Sequence, residues 1–131
     1  MINIFSKYKK IFYLINFLLI FLYIYPGSLL GLIVYNDPKI QPQITPDFVV
    51  SSNHFYVFTF VSIVGLFTFV KTKQIKYLKI YLILMSILLE IFHLIIPDRS
   101  FQWSDLFGNL FGVLIVIFIN NLINKYGFIK K

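Results

Sequence analysis

Long apolar stretches separated by short polar connections are the feature that most limits what this chain can fold into. A helix needs about 20 apolar residues to cross the roughly 30 Å of hydrocarbon in a bilayer. Charged residues make up 13% of this chain, against about a quarter of an ordinary soluble domain. The sequence therefore predicts an all-α fold, an integral membrane four-helix bundle, with residues 1–131 as a single domain. The predicted helices are residues 11–25, 54–70, 77–96 and 105–123.

Two segments between the first and second stretches are not long helices. Pro26 and Gly27 close the first stretch, and residues 28–35 are apolar but too short to span a bilayer. They either extend the first helix through a kink at Pro26 or lie along the membrane interface, and both alternatives stay open on the sequence. Residues 36–46 contain three prolines and no periodicity, which favours a loop. Three polar residues then offer N-caps for the second long helix: Ser51, Ser52 and Asn53.

Basic residues indicate the orientation in the membrane. Only Lys39 and Arg99 fall in the two connections on one side of the predicted bundle. The positive-inside rule therefore predicts a multi-pass protein of the inner (plasma) membrane with both termini in the cytoplasm. The net charge of +7 sits in clusters beside apolar runs, which suits anionic lipid head groups, so no nucleic-acid partner is expected. The residues on the cytoplasmic side are Lys7, Lys9, Lys10, Lys71, Lys73, Lys76, Lys79, Lys125, Lys130 and Lys131.

Polar residues that are costly inside a membrane concentrate in residues 86–112. An ionisable group in a membrane helix costs several kcal/mol unless it is paired or hydrated, so several together indicate a site. Ser86, Glu90 and His93 share one face of the predicted third helix, and Asp105 and Asn109 share one face of the fourth. All the acidic residues lie in or toward the outward connections: Asp37, Asp47, Glu90, Asp98 and Asp105.

Small residues accompany these polar groups on two other helix faces. Gly108 and Gly112 form a G-x-x-x-G pair, which permits close approach of another helix. His54 opens the second long helix, and its face continues through Ser62, Gly65 and Thr68. Three helices are therefore expected to turn small and polar faces toward one another near the outer leaflet. The natural counter-ion for the acids is Arg99.

The sequence leaves enzymatic and structural roles open for these residues. In the enzymatic role, Glu90 and Asp105 are catalytic, because one desolvated carboxyl and one ionised carboxyl form an acid/base pair. In the structural role, the same residues form a buried polar network that fixes helix packing or binds a membrane partner. Proton-coupled transport is disfavoured, because four short helices without an inverted repeat make a poor alternating-access machine. The substrate-binding residues of the enzymatic role are His54, His93, Arg99 and Asn109.

A metal site is the less favoured alternative. Imidazole and carboxylate ligands from His54, His93, Glu90 and Asp105 would suit zinc. However, Glu-x-x-His lacks the second histidine of a zinc protease motif. The absence of cysteine excludes thiolate ligands, thiol nucleophiles and disulfides. The sequence prediction therefore includes no metal and no cofactor.

Several motifs recur in the order and spacing of a known family. His54-Phe55 begins a span, Glu90 follows two leucines and has a polar residue three positions later, and a short turn carries arginine in Pro97-Asp98-Arg99. The block from Asp105 to Gly112 reads D-L-F-G-N-L-F-G, and Tyr25-Pro26-Gly27 closes the first stretch. In these features the chain resembles the VanZ-like family of small bacterial membrane proteins. That family shows H-F, E-x-x-Q, a turn with arginine, and D-hydrophobic-x-x-N-x-x-G.

The chain departs from the family pattern at two places. Val50-Ser51 stand where the family often has Asp-Lys, so any role of that pair is missing or passes to Asp47. His93 stands where the family usually has glutamine, and an amide would not normally replace a metal ligand.

The resemblance implies a cellular context for the protein but no particular chemical reaction. It implies a protein of the bacterial cell envelope, and a link to antibiotic susceptibility through the family's teicoplanin-resistance member. Teicoplanin resistance itself is not carried over to this chain. The expected partners are the lipid bilayer and a lipid or lipid-linked envelope substrate. The sequence also allows a homo-oligomer or a membrane protein partner.

Overall fold

A computed structural model shows a helical chain. The structure describes residues 4–127, and the side chains from Tyr8 onward. Within this range it contains five helices and no strand. The basic residues Lys7, Lys130 and Lys131, which entered the orientation prediction, lie outside the described side chains. The helices are α1 (Ile4–Ile24), α2 (Leu29–Tyr35), α3 (Ser52–Phe69), α4 (Ile75–Phe92) and α5 (Trp103–Tyr126).

Two of the helices, α3 and α5, are long and apolar enough to cross a membrane. Residues Tyr8–Ile24 and Leu29–Tyr35 together form a third candidate span, bent by 81°. The sequence predicts four spans, and α4 is the one that falls short. Its 18 residues include Lys76, Lys79 and Glu90, so its charge content is high for a membrane helix.

The segment 28–35 is a separate short helix and not a straight continuation of α1. Ser28 caps α2, because its hydroxyl accepts a hydrogen bond from the Gly31 amide at 2.9 Å. Asn36 ends α2 in the left-handed conformation, with φ of 54°. The segment that follows, residues 36–46, is irregular, which confirms the predicted loop.

Two helix ends differ from the prediction by four residues or more. α1 begins at Ile4 and not at residue 11, because lysine is a good helix former and the basic start continues the helix. α4 ends at Phe92 and not at residue 96, and the amides of the next four residues bond three or four residues back in tight turns. Pro97 disfavours helix in the residue before it. Glu90 therefore lies two residues from the end of α4.

Two glycines bring α3 and α5 into close parallel contact. A Cβ atom on Gly108 would lie 2.8 Å from the Ser51 carbonyl oxygen, and one on Gly112 would lie 2.6 Å from the Phe55 carbonyl oxygen. These distances are shorter than a side chain tolerates, so the approach requires glycine at both positions. The close contact predicted from the G-x-x-x-G pair is confirmed.

The described lysines, except Lys39, gather at one end of the long helices. Lys9 Nζ donates to Gln74 Oε1 in the turn between α3 and α4. Lys79 Nζ donates to Asn121 Oδ1 near the end of α5. The predicted site residues lie at the opposite end, where α1 and α4 finish and α3 and α5 begin.

Candidate functional site

A group of buried polar side chains, here called the polar cluster, occupies the end of the fold opposite the lysines. Its histidines, Glu90 and Asn109 are buried, and Asp105 is half-buried. Each long helix contributes at least one member, so the cluster forms only when the helices pack together. The members are Tyr23 from α1, His54 from α3, Glu90 from α4, Asp105 and Asn109 from α5, and His93 just after α4.

One part of the cluster is a triangle of hydrogen-bonding groups from three helices. His54 Nδ1 lies 2.9 Å from the Tyr23 hydroxyl oxygen and 3.0 Å from Asn109 Oδ1. The Tyr23 hydroxyl donates to Asn109 Oδ1 at 2.9 Å. Asn109 Nδ2 donates to the Ser86 carbonyl of α4 at 3.2 Å. The triangle therefore links all four long helices.

Glu90 and His93 form a second part of the cluster. Glu90 Oε1 accepts a hydrogen bond from the Gln102 amide at 3.0 Å. Glu90 Oε2 lies 3.1 Å from His93 Nδ1 but makes no hydrogen bond. His93 Nε2 lies 3.1 Å from the Tyr23 carbonyl oxygen, to which it donates, and the two rings stack. The hydrogen bond from the Gln102 amide to Glu90 thus links the start of α5 to the end of α4.

Asp105 closes the cluster beside His54. It lies in the first turn of α5, where a negative charge complements the helix dipole. Asp105 Oδ2 is 3.5 Å from His54 Nε2. His54, Glu90 and Asp105 each offer one nitrogen or oxygen atom, and these three atoms all lie within 4.8 Å of one another. The structure therefore brings together both predicted carboxylates and the predicted histidine of α3.

Arg99 binds the end of α1 and not the carboxylates. Its Nη2 donates to the Leu22 carbonyl at 2.9 Å, and its Nε donates to the Tyr25 carbonyl at 3.3 Å. Carbonyls in the last turn of a helix have no partner within the helix, so Arg99 supplies one. The third guanidinium nitrogen donates to Gln41 of the loop.

The prediction that Arg99 is the direct counter-ion of the acids is therefore wrong. No ion pair within 4.0 Å in residues 4–127 includes it. Burial lowers the pKa of the Arg99 guanidinium, while Tyr23, Glu90 and Asp105 act in the opposite direction. Arg99 thus acts on the carboxylates only at longer range.

Two cavities lie beside the polar cluster. The first, here called the apolar cavity, has a volume of about 250 Å³ and is lined mainly by apolar side chains, with His54, His93 and Arg99 also in its lining. The second, here called the polar cavity, has a volume of about 190 Å³, and its lining includes Asp105, His93 and Arg99. Glu90 lines neither cavity.

The loop before α3 is held by side chains of that helix's first turn. Ser51 is the N-cap residue, but its side chain makes no capping hydrogen bond. Asp47 Oδ1 accepts from the Ser52 amide at 2.9 Å and so takes the capping role. Asn53 Nδ2 donates to the Pro42 carbonyl at 2.6 Å and holds the loop over the apolar cavity.

Tyr23 is the member of the cluster that the sequence analysis missed. It lies half-buried between His54, Asn109 and His93 and contacts all three. A tyrosine near the end of an apolar run is typical of the aromatic belt at a membrane interface. Its position in the sequence therefore does not distinguish it from an ordinary interfacial tyrosine.

No protein-family model, curated protein or solved structure matches this chain. The likeness to the VanZ-like family therefore stays a prediction.

Proposed function

We propose that this chain is a VanZ-like integral membrane protein of the bacterial cell envelope, and that the polar cluster binds the head group of a lipid or lipid-linked envelope substrate. The supporting observation is the apolar cavity, whose leucine walls suit a hydrocarbon chain. Its lining also includes His54, His93 and Arg99, which suit an acidic head group. Ligand sites commonly combine a largely apolar lining with a few placed polar groups.

The proposal includes a multi-pass arrangement in the inner membrane. The four long helices form the membrane bundle, both termini are cytoplasmic, and the polar cluster faces outward. The lysine end supports this orientation, because basic residues favour the cytoplasmic side. Large apolar side chains on the outer surfaces of the long helices support lipid contact, since soluble monomers rarely expose large apolar patches. Examples are Phe17, Phe67 and Phe118, each more than half exposed.

Thiol labelling tests the orientation directly, because the chain has no cysteine of its own. Gln43→Cys places one thiol in the exposed loop near the cluster, and Lys73→Cys places one in the exposed turn between α3 and α4. We expect a membrane-impermeant maleimide to label Gln43→Cys in intact spheroplasts and Lys73→Cys only after permeabilisation. The reverse pattern would contradict the orientation, and equal labelling of both in spheroplasts would contradict a membrane-spanning bundle.

Binding of farnesyl phosphate, a short amphiphile with an acidic head, tests the function. In the purified chain in detergent, Val57→Trp fills the apolar cavity and Arg99→Gln removes its cation. We expect each change to weaken binding at least about tenfold, equivalent to about 1.4 kcal/mol, as measured by native mass spectrometry. Lys79→Gln is the matched control, because it removes a cation at the opposite end of the fold.

Two further measurements separate lost binding from lost folding. Arg99 also binds the end of α1, so thermal unfolding is measured for each variant, and Arg99→Lys is included to keep the charge. Binding of wild-type strength by Val57→Trp would contradict the cavity as the binding site.

A second candidate function is a non-enzymatic packing or partner-binding module. The observation that favours it is Glu90, which is fully buried, lines neither cavity and bonds to the backbone of the next helix. Such a carboxylate fits a structural polar network. The acid/base role of Glu90 and Asp105 and the link to antibiotic susceptibility stay predictions.

A further inference from the structure

Three potential metal ligands converge inside the polar cluster from three different helices. His54 of α3, Glu90 of α4 and Asp105 of α5 each present one ligand atom, all within 4.8 Å of one another. The imidazole and the Glu90 carboxylate are buried, and Asp105 is half-buried. His93, which the sequence analysis included in its metal alternative, contacts Glu90 but does not belong to this group.

The hydrogen bonds around His54 determine which ring nitrogen has a free electron pair. Asn109 Nδ2 donates to the Ser86 carbonyl, so Asn109 Oδ1 is the atom that faces His54. An amide oxygen only accepts, and the single Tyr23 hydroxyl proton is already donated to it. His54 Nδ1 therefore carries a proton, and in the neutral ring Nε2 presents its lone pair toward Asp105. This is the usual arrangement of a histidine that binds a metal.

No permanent positive charge lies next to the two carboxylates. In the part of the chain that the structure describes, neither has a lysine or arginine nitrogen within 4.0 Å, and the nitrogens that approach them belong to His54 and His93. Glu90 Oε2 is fully buried and makes no hydrogen bond. An ionised buried carboxylate without a partner is strongly unfavourable. A cation bound between the imidazole of His54 and the two carboxylates would supply that partner.

We propose that His54, Glu90 and Asp105 bind one Zn²⁺ ion. Imidazole and carboxylate are established zinc ligands, and three protein ligands leave a fourth position for water or a substrate oxygen. Tetrahedral zinc with bonds of about 2.0–2.2 Å places its ligand atoms about 3.3–3.6 Å apart, so the three side chains must draw together around the ion. The groups that orient the ligands are Tyr23 and Asn109 at His54, the Gln102 amide at Glu90, and Ser104 at Asp105.

The ion also resolves an electrostatic difficulty of the binding site. Asp105 in the lining of the polar cavity and the neighbouring Glu90 would repel an acidic head group, whereas Zn²⁺ would neutralise both carboxylates. The fourth position would then take a phosphate oxygen, with Arg99 nearby in the lining of both cavities. This last step rests on the proposed function, while zinc binding itself does not require a lipid.

Zinc titration of the untagged full chain in detergent tests the proposal. After chelator treatment, we expect isothermal titration calorimetry with Zn²⁺ to give one site per chain. His54→Gln and Asp105→Asn are expected to weaken that site at least about 100-fold, since even residues that only orient a ligand change metal affinity about 10–100-fold. Lys79→Gln, at the opposite end of the fold, is the matched control and is expected to change affinity less than about tenfold. Absence of a zinc site in folded wild-type protein would overturn the proposal and indicate a network held by protons alone.

Two additional measurements keep the test decisive. Thermal unfolding of each metal-free variant establishes that it is folded, and Asp105→Asn is nearly isosteric at the half-buried edge of the cluster. Wild-type zinc affinity in folded Asp105→Asn and His54→Gln would also overturn the proposal. Farnesyl phosphate binding is measured separately with and without chelator. Zinc binding without lipid binding would contradict the proposed function alone, and lipid binding without a zinc site would contradict the metal proposal alone.

Discussion

Replacing Glu90 with leucine is expected to lower the free energy of unfolding by about 1–3 kcal/mol, because the Gln102 amide loses the carboxylate oxygen that accepts its hydrogen bond. The change also removes the polar atom that lies 3.1 Å from His93 Nδ1. Each buried polar group left unpaired costs about 1–3 kcal/mol. The measurement is reversible unfolding of the metal-free chain in detergent micelles, with helix content followed by circular dichroism.

Glu90→Gln is the matched control, and it separates the two candidate functions. His93 Nε2 donates to the Tyr23 carbonyl, so Nδ1 of the neutral ring is an acceptor. A glutamine amide would donate to Nδ1 and still accept from the Gln102 amide, so stability should change by less than about 1 kcal/mol. Zinc and farnesyl phosphate binding should nevertheless fall. Glu90→Gln with wild-type ligand binding would favour the packing module, and a fully stable Glu90→Leu would contradict the described role of Glu90.

Replacing Asn109 with leucine should destabilise the chain by about 2–4 kcal/mol, because it removes the acceptor shared by two helices. Asn109 is fully buried, and its side chain bonds to Tyr23, His54 and the Ser86 carbonyl. A leucine side chain forms no hydrogen bond with any of these groups. The same unfolding measurement in detergent reports the loss.

Asn121→Leu is the control for Asn109→Leu on the same helix. Asn121 is exposed near the end of α5 and bonds to the half-buried Lys79. Surface substitutions usually change stability by no more than about 0.5 kcal/mol. Equal losses in the two variants would show that the Asn109 hydrogen bonds do not hold the helices together.

Most of the site was predictable because ionisable and amide side chains stand out in apolar sequence. Glu90, Asp105 and Asn109 each carry a polar group where hydrocarbon is the rule, and helical spacing indicated which of them share a face. Tyr23 was not predictable in this way. It is separated from His54 by 31 residues and from Asn109 by 86, and tyrosine is common at membrane interfaces.

The role of Arg99 follows from the turn after α1, which cannot be read from the sequence. A charge pairing between Arg99 and nearby acids is the simplest expectation from sequence. In the structure, α1 ends at Ile24 and the chain turns by 81° into α2. That turn leaves the Leu22 and Tyr25 carbonyls within reach of Arg99. The predicted end of α4 is too late for a similar reason. Residues 93–96 are mostly apolar like the helix before them, but they form tight turns, and composition alone does not distinguish the two.

Comparing farnesyl phosphate with farnesol on the wild-type chain tests the central claim most directly. The two ligands share one hydrocarbon chain and differ in the acidic head that the polar cluster is proposed to bind. In native mass spectrometry with the zinc-loaded chain, we expect saturable binding of one farnesyl phosphate and at least about tenfold weaker binding of farnesol, a difference of about 1.4 kcal/mol. Equal binding of the two, or no saturable binding of the phosphate, would contradict a head-group site at the polar cluster.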